Sequence, residues 1–188
     1  MIPNFNLAAT GTISNHFLEQ DIQTFHDAIK HIRQLDYGRS KLEYPLNILE
    51  DKKGTCSTKH ACIKELAEEN NIKSIKLFMC IYPMSEENTP GVGEVLDRYK
   101  LDYILESHVY ISYDDERFDF TFPSENEMKW ENDILMETEI NVDQISDYKV
   151  EYHKKMLSDW IKHDNINFDL ETIWQIRESC IRALQTFD

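Results

Sequence analysis

Gly54-Thr55-Cys56-Ser57-Thr58-Lys59-His60-Ala61 opens a helix with a thiol in its first turn, and the reading of the whole chain turns on that stretch. Gly54 lets the backbone turn sharply, and Thr55 can supply an N-cap oxygen. From Lys59 to Glu69 the apolar positions Ala61, Ile63, Leu66 and Ala67 are interleaved with Lys64, Glu65, Glu68 and Glu69, the pattern of a helix that buries one side. Asn70-Asn71 supplies the stop. A helix N-terminus carries unsatisfied N–H groups and roughly half a positive charge, which favours an anion. An ordinary thiol is only a few per cent thiolate at neutral pH, and the thiolate is the nucleophile. Cys56 therefore stands where a reactive thiol is expected.

His108 and Asp119 come from a different pattern. Val109, Ile111 and Tyr113 alternate with Tyr110 and Ser112, the period of a strand. Asp114-Asp115-Glu116 breaks the run as a turn, and Phe118-Asp119-Phe120-Thr121-Phe122 alternates again until Pro123 ends it. The expected element is a β-hairpin with His108 on one arm and Asp119 on the other. Counted from a turn centred at Asp115, His108 is 7 residues back and Asp119 is 4 forward, so the two are expected as offset neighbours. Such a carboxylate accepts a hydrogen bond from one imidazole nitrogen and leaves the other to face Cys56.

A thiol opening a helix as Gly-Thr-Cys-Ser-Thr-Lys-His-Ala, a later strand bearing His108, and Asp119 in Asp-Phe-Thr together resemble the transglutaminase-like branch of the papain-type cysteine enzymes. The resemblance covers roughly residues 35 to 123, less than half of the chain. It implies Cys56 as nucleophile, His108 as general base and Asp119 as the acid that orients the imidazole. It also implies an α+β fold with an antiparallel sheet packed on the nucleophile helix. One position departs from the pattern: many members carry a tryptophan two residues after the histidine, where this chain has Tyr110.

Each residue taken alone has a plainer reading. A lone Cys56 is more often core, His108 a satisfied strand histidine, and Asp119 a turn or cap residue. Their order and settings together favour the triad. His60, one turn after Cys56, is the rival base, but it is expected along the helix flank in an exposed or packing role. The Cys56 backbone N–H is the expected first oxyanion donor, with Asn47 a weak candidate for the second. The function expected is thiol-dependent acyl transfer on a peptide, protein or small amide substrate. Water as acceptor gives a hydrolase and an amine gives a transglutaminase-like acyltransferase. The alternative is a non-catalytic protein-interaction module on the same fold.

Composition narrows the partners. With 20 Lys and Arg against 35 Asp and Glu, the 188-residue chain has a formal charge of −15. Nucleic-acid and anionic-membrane partners want basic patches, so neither is expected. No apolar run approaches a membrane span, and Met1-Ile2-Pro3-Asn4 does not read as a charged n-region, so a cytoplasmic location is the expectation. Cys56, Cys62, Cys80 and Cys180 contain no Cys-x-x-Cys pair, and the seven histidines are scattered, so no metal or other cofactor and no disulfide is expected.

The remaining segments complete the architecture. Residues 16 to 35 read as one amphipathic helix through Phe17, Leu18, Ile22, Phe25, Ile29, Ile32 and Leu35, capped by Ser14 or Asn15 and ended at Tyr37-Gly38-Arg39. Residues 40 to 53 connect, with a short apolar run from Leu46 to Leu49. Ile75 to Tyr82 reads as an apolar strand stopped by Pro83, and Ser85 to Gly93 as a surface connection or a lid. A short helix is expected between Val95 and Tyr103. Two helices follow near residues 145 to 162 and 169 to 186, the second capped by Asp169, and they finish the core or mediate homodimerisation. A single domain over residues 1 to 188 is expected, with its catalytic core at about 35 to 123 and a C-terminal helical part at about 145 to 188.

Overall fold

The structure is a computed structural model that describes residues 1 to 123 and 129 to 185. In chain order its elements are α1 (Thr12–Glu19), α2 (Phe25–Gln34), β1 (Asp36–Tyr37), α3 (Leu46–Leu49), β2 (Lys53–Gly54), α4 (Cys56–Glu69) and β3 (Lys76–Met84). Then come α5 (Gly93–Tyr99), β4 (Ile104–Tyr113), β5 (Glu116–Phe118), β6 (Met136–Ile140), α6 (Asp147–His163) and α7 (Leu170–Leu184), with 3-10 turns at Lys129–Asp133 and Val142–Ile145. The fold is α+β. Its antiparallel sheet has the strand order β5-β4-β3-β6, and β1 and β2 form a separate parallel pair.

The chain forms two compact units. The first comprises Met1–Phe78, Val109–Asn126 and Glu139–Ile145. Here α4 packs against α1, α2, α3 and the turn at Val142–Ile145. Phe17, Phe25, Ile32, Ile63 and Leu66 are buried between these helices, each worth about 1.5–3 kcal/mol relative to exposure. The helix expected over residues 16 to 35 is two helices. Asp21 adopts the left-handed conformation (φ 59°), and Ile22 N–H returns to the Phe17 carbonyl while Asp21 N–H returns to that of Leu18. That is a Schellman stop. Thr24 then starts α2, its Oγ1 accepting from Asp27 N–H and donating to the Asp27 carboxylate. Ser14 lies inside α1 and caps nothing by itself. The α1 N-terminus is closed instead by the Glu69 carboxylate of α4, which accepts from Ile13 N–H, Ser14 N–H and Ser14 Oγ.

The Asn70-Asn71 stop is observed: Asn71 is left-handed (φ 63°), and Ile72 N–H bonds to the Ala67 carbonyl. The hairpin is also observed, with a shorter second arm. Asp114 and Asp115 both have positive φ, as a two-residue primed turn requires, and Tyr113 pairs with Glu116, Ser112 with Arg117 and Ile111 with Phe118. β5 ends there, so Asp119 lies one residue beyond the strand on which the alternation placed it.

The second unit comprises Met79–His108, Glu127–Thr138 and Ser146–Asp188. In it β3 runs through Pro83 to Met84 rather than stopping before it. In the Ser85–Gly93 stretch, expected as a surface connection or a lid, Glu86, Glu87 and Pro90 are exposed while Asn88, Thr89 and Val92 are buried. Asn88 accepts from Ser85 N–H and donates to the Pro83 carbonyl and the Asp133 carboxylate, and Thr89 Oγ1 bonds the Tyr82 hydroxyl. The expected C-terminal helix pair is present as α6 and α7, with Asp169 accepting from Thr172 N–H as N-cap. Residues 186 to 188, where the second helix was expected to end, lie outside the described residues.

Buried charge joins these helices to β4. Arg177 of α7 grips Glu106 through Nε–H···Oε2 (2.6 Å) and a second bond from Nη2 to Oε1. Burial alone would push the Glu106 carboxyl up, but the guanidinium outweighs it and holds the group at about 2. His153 of α6 donates from Nε2 to the Leu105 carbonyl at 2.8 Å, and burial pulls its ring down to about 4.

Candidate active site

Cys56 is the first residue of α4, and Thr55, extended at φ −92°, occupies the N-cap. Thr58 Oγ1 accepts the Thr55 N–H at 3.1 Å, so the side chain three residues inside the helix closes its start. β2 pins the approach, since the Gly54 carbonyl accepts from Gly38 N–H. Gly54 lies close to its neighbours: a Cβ there would stand 2.5 Å from Ile48 Cδ1, so that side chain would have to shift. Cys56 is 7% exposed, with its Sγ 3.9 Å from Ser57 Oγ.

The next turn of α4 carries the strongest contacts in this part of the first unit. His60 is fully buried, which selects the packing alternative over the exposed one expected for this residue. Its Nδ1 lies 2.8 Å from the Cys56 carbonyl and its Nε2 lies 2.8 Å from Phe120 N. A backbone N–H only donates, so Nε2 is the acceptor there, and Nδ1 carries the proton that goes to the Cys56 carbonyl. The ring is neutral in this arrangement, with its Nε2 lone pair committed to the backbone. Asp119 Oδ1 stands 3.5 Å from the same Nε2 and accepts from both the N–H (2.9 Å) and the Oγ1 (2.5 Å) of Thr121. The first unit thus ties Cys56 to the Asp119 segment through His60.

Lys59 is equally buried. Its ammonium donates to the Arg33 (3.3 Å), Leu35 (2.5 Å) and Thr121 (2.8 Å) carbonyls. The first two lie at the C-terminal end of α2, where orphan carbonyls and the negative end of the helix dipole favour a cation. Burial nevertheless draws the ammonium down to about 8, against the opposing Asp36 and Asp119 carboxylates. Asn47 donates from Nδ2 to the Lys53 carbonyl, and its buried Oδ1 has no hydrogen-bond partner among the described residues.

His108 belongs to the second unit, where it is buried against Trp130, with ring centroids 4.7 Å apart at 52°. Trp130 in turn contacts Tyr82 (6.1 Å). Tyr110, which stands where the resemblance calls for tryptophan, is buried in the first unit. It stacks on Phe78 (5.8 Å), and its hydroxyl accepts from Arg117 Nε. The aromatic wall of His108 is therefore supplied from 22 residues downstream rather than from two.

Lys59 and Trp130 were not anticipated from the sequence, where His60 stood as the rival base or a packing residue. Lys59 was the one with a signal available, since a lysine on the buried side of an amphipathic helix demands acceptors. All four cysteines are buried thiols. Burial pushes Cys62 far above its ordinary value and Cys180 up to about 12. Among the described residues no group of three or more His, Cys, Asp and Glu side chains is arranged to hold a metal ion, and no helix is long and apolar enough to cross a membrane. No protein-family model, curated protein or solved structure matches the chain.

Proposed function

We propose that this chain is a thiol-dependent acyl-transfer enzyme of transglutaminase-like type, with Cys56 as nucleophile, His108 as general base and Asp119 as the residue that orients the imidazole. The observation that carries this reading is the first turn of α4, where the thiol begins the helix and its own carbonyl is joined through His60 to the Asp119 segment. The hairpin register supports it. Successive residues of β4 alternate between faces, so His108 shares a face with Tyr110, and Asp119 follows the last β5 pair in the place opposite Tyr110.

The chemistry follows from the roles. The Cys56 thiolate attacks the carbonyl carbon of an amide, and the tetrahedral oxyanion is met by the Cys56 N–H at the helix start. The His108 imidazolium gives its proton to the departing amine, which leaves an acyl thioester on Cys56. Water or a second amine, deprotonated by His108, then releases the acyl group. Water yields a carboxylic acid, and an amine yields a new amide. A reducing compartment such as the cytoplasm suits a mechanism that needs a free thiol.

The test is direct. The purified protein is incubated with an activated aryl ester, and its intact mass is followed. A single acyl adduct that maps to Cys56, disappears on hydroxylamine treatment and is absent in Cys56→Ala is the expected result. No adduct on the folded wild type, with an unchanged cellular role for Cys56→Ala, would establish the interaction-module reading instead.

A further inference from the structure

Four hydrogen bonds help to fix the short segment Asp119-Phe120-Thr121, and two of their partners are consecutive residues of α4. His60 Nε2 accepts the Phe120 N–H (2.8 Å), and Lys59 Nζ donates to the Thr121 carbonyl (2.8 Å). The other two are the Asp119 carboxylate's own bonds to the N–H and Oγ1 of Thr121. Each α4 residue is also anchored at its other end. His60 Nδ1–H reaches the Cys56 carbonyl, and Lys59 reaches the carbonyls of Arg33 and Leu35 at the end of α2. Both side chains are fully buried. A neutral imidazole bridging two backbone groups and an ammonium bridging three cost desolvation, and a surface-facing pair of residues would leave those groups to water.

We infer that Lys59 and His60 are positioning residues, a clamp that sets the Asp119 carboxylate relative to the nucleophile's helix. The inference rests on the acyl-transfer reading above and deepens it. His60 is then not a general base, because removing the Cys56 proton would take the Nε2 lone pair from Phe120 N–H. Its part is to hold Asp119 at a fixed height on α4, one turn from the thiol, and so to fix the direction from which that carboxylate meets its partner. Lys59 completes the hold by fixing the carbonyl two residues after Asp119. A role of this kind acts through Asp119 and has no effect of its own on the reacting atoms.

A double-mutant cycle on kcat/KM for the activated aryl ester tests this. Variants are His60→Ala, His60→Gln, Asp119→Asn and the double variant His60→Ala/Asp119→Asn, each checked for a native thermal melt. Residues that act through one another give losses that fail to multiply. We expect His60→Ala to lose roughly ten- to a hundred-fold, and the double variant to lose no more than Asp119→Asn alone. His60→Gln, whose Oε1 can accept from Phe120 N–H where Nε2 did, should recover most of the loss. Multiplying losses with no recovery in His60→Gln overturns the clamp, as does full activity in His60→Ala. If His60→Ala does not fold, the His60→Gln arm decides: activity near wild type supports the clamp, and the loss expected of a missing base overturns it. A wild type that never acylates on Cys56 overturns the acyl-transfer reading itself, and the clamp's catalytic role with it.

Discussion

Arg177→Met should reverse the direction in which Glu106 makes this protein's stability respond to acid. In the wild type, burial raises Glu106 but the Arg177 charge and hydrogen bonds outweigh it, taking the carboxyl from 4.5 to about 2. At about 1.4 kcal/mol per pKa unit, that gap corresponds to roughly 3 kcal/mol. Because the folded value is depressed, this contribution is complete above pH 4.5 and is lost as the pH falls towards 2. His153 acts in the same sense, since its folded value of about 4 lies below 6.5 and the folded state takes up fewer protons than the unfolded chain between them. Removing Arg177 leaves burial opposed by only the smaller His153 and Lys149 contributions, so the folded carboxyl should now bind its proton more tightly than the unfolded one. The variant should lose about 3–5 kcal/mol at neutral pH, the usual cost of orphaning a buried charge. That deficit should shrink as Glu106 is protonated. Urea unfolding followed by tryptophan fluorescence measures this where it happens, because Trp130, Trp160 and Trp174 all belong to the second unit with Glu106 and Arg177. A deficit constant from pH 7 to pH 4, or one below about 1 kcal/mol at pH 7, would refute the reasoning.

Alkylation by iodoacetamide at pH 6.5 should label Cys56 well before Cys62, Cys80 or Cys180, since burial raises the Cys62 and Cys180 thiols while a helix start favours a thiolate. Equal labelling of all four by mass spectrometry counts against Cys56 as nucleophile. Asp119→Asn should lower turnover by roughly ten- to a thousand-fold, less than in serine triads because a thiolate–imidazolium pair formed in advance leans less on the carboxylate; unchanged kcat would remove Asp119 from the site. Lys59→Met should destabilise the fold by about 2–4 kcal/mol in urea melts, because the Arg33, Leu35 and Thr121 carbonyls lose their shared donor. A loss within about 0.5 kcal/mol would show that water takes its place.

The elements were legible wherever a local rule dominated. The α4 start and its Asn71 stop, the hairpin turn at Asp114-Asp115 and the Asp169 cap each depend on one or two side chains and nearby backbone. Failures arose where a second local rule competed with periodicity. Phe17, Ile22 and Phe25 keep near-helical spacing across the α1–α2 break, so the apolar count favoured one helix. The Thr24-x-x-Asp27 cap and the left-handed Asp21 decide otherwise, and an aspartate at that position carries only a weak sequence signal. Glu69 closing the α1 N-terminus had no signal at all, because the carboxylate comes from 55 and 56 residues away.

The site divides in the same way. That Cys56 begins a helix could be read from Gly54, Thr55 and the apolar positions that follow. The role of His60 could not, because helix geometry places a residue four positions on beside the carbonyl it can reach, yet says nothing of what approaches from outside the helix. Judged on its own helix, His60 is a flank residue beside a thiol. Judged with Phe120 N–H on its Nε2, it is a neutral ring with a fixed tautomer. The same holds for Lys59, whose three acceptors come from two distant segments. A lysine next to a histidine on the buried side of a helix is expensive to desolvate, and that expense is itself the signal. Wherever a sequence places Lys-His one turn after a helix-starting cysteine and apolar positions follow, the acceptors that satisfy the pair should be sought on the segment carrying the candidate carboxylate.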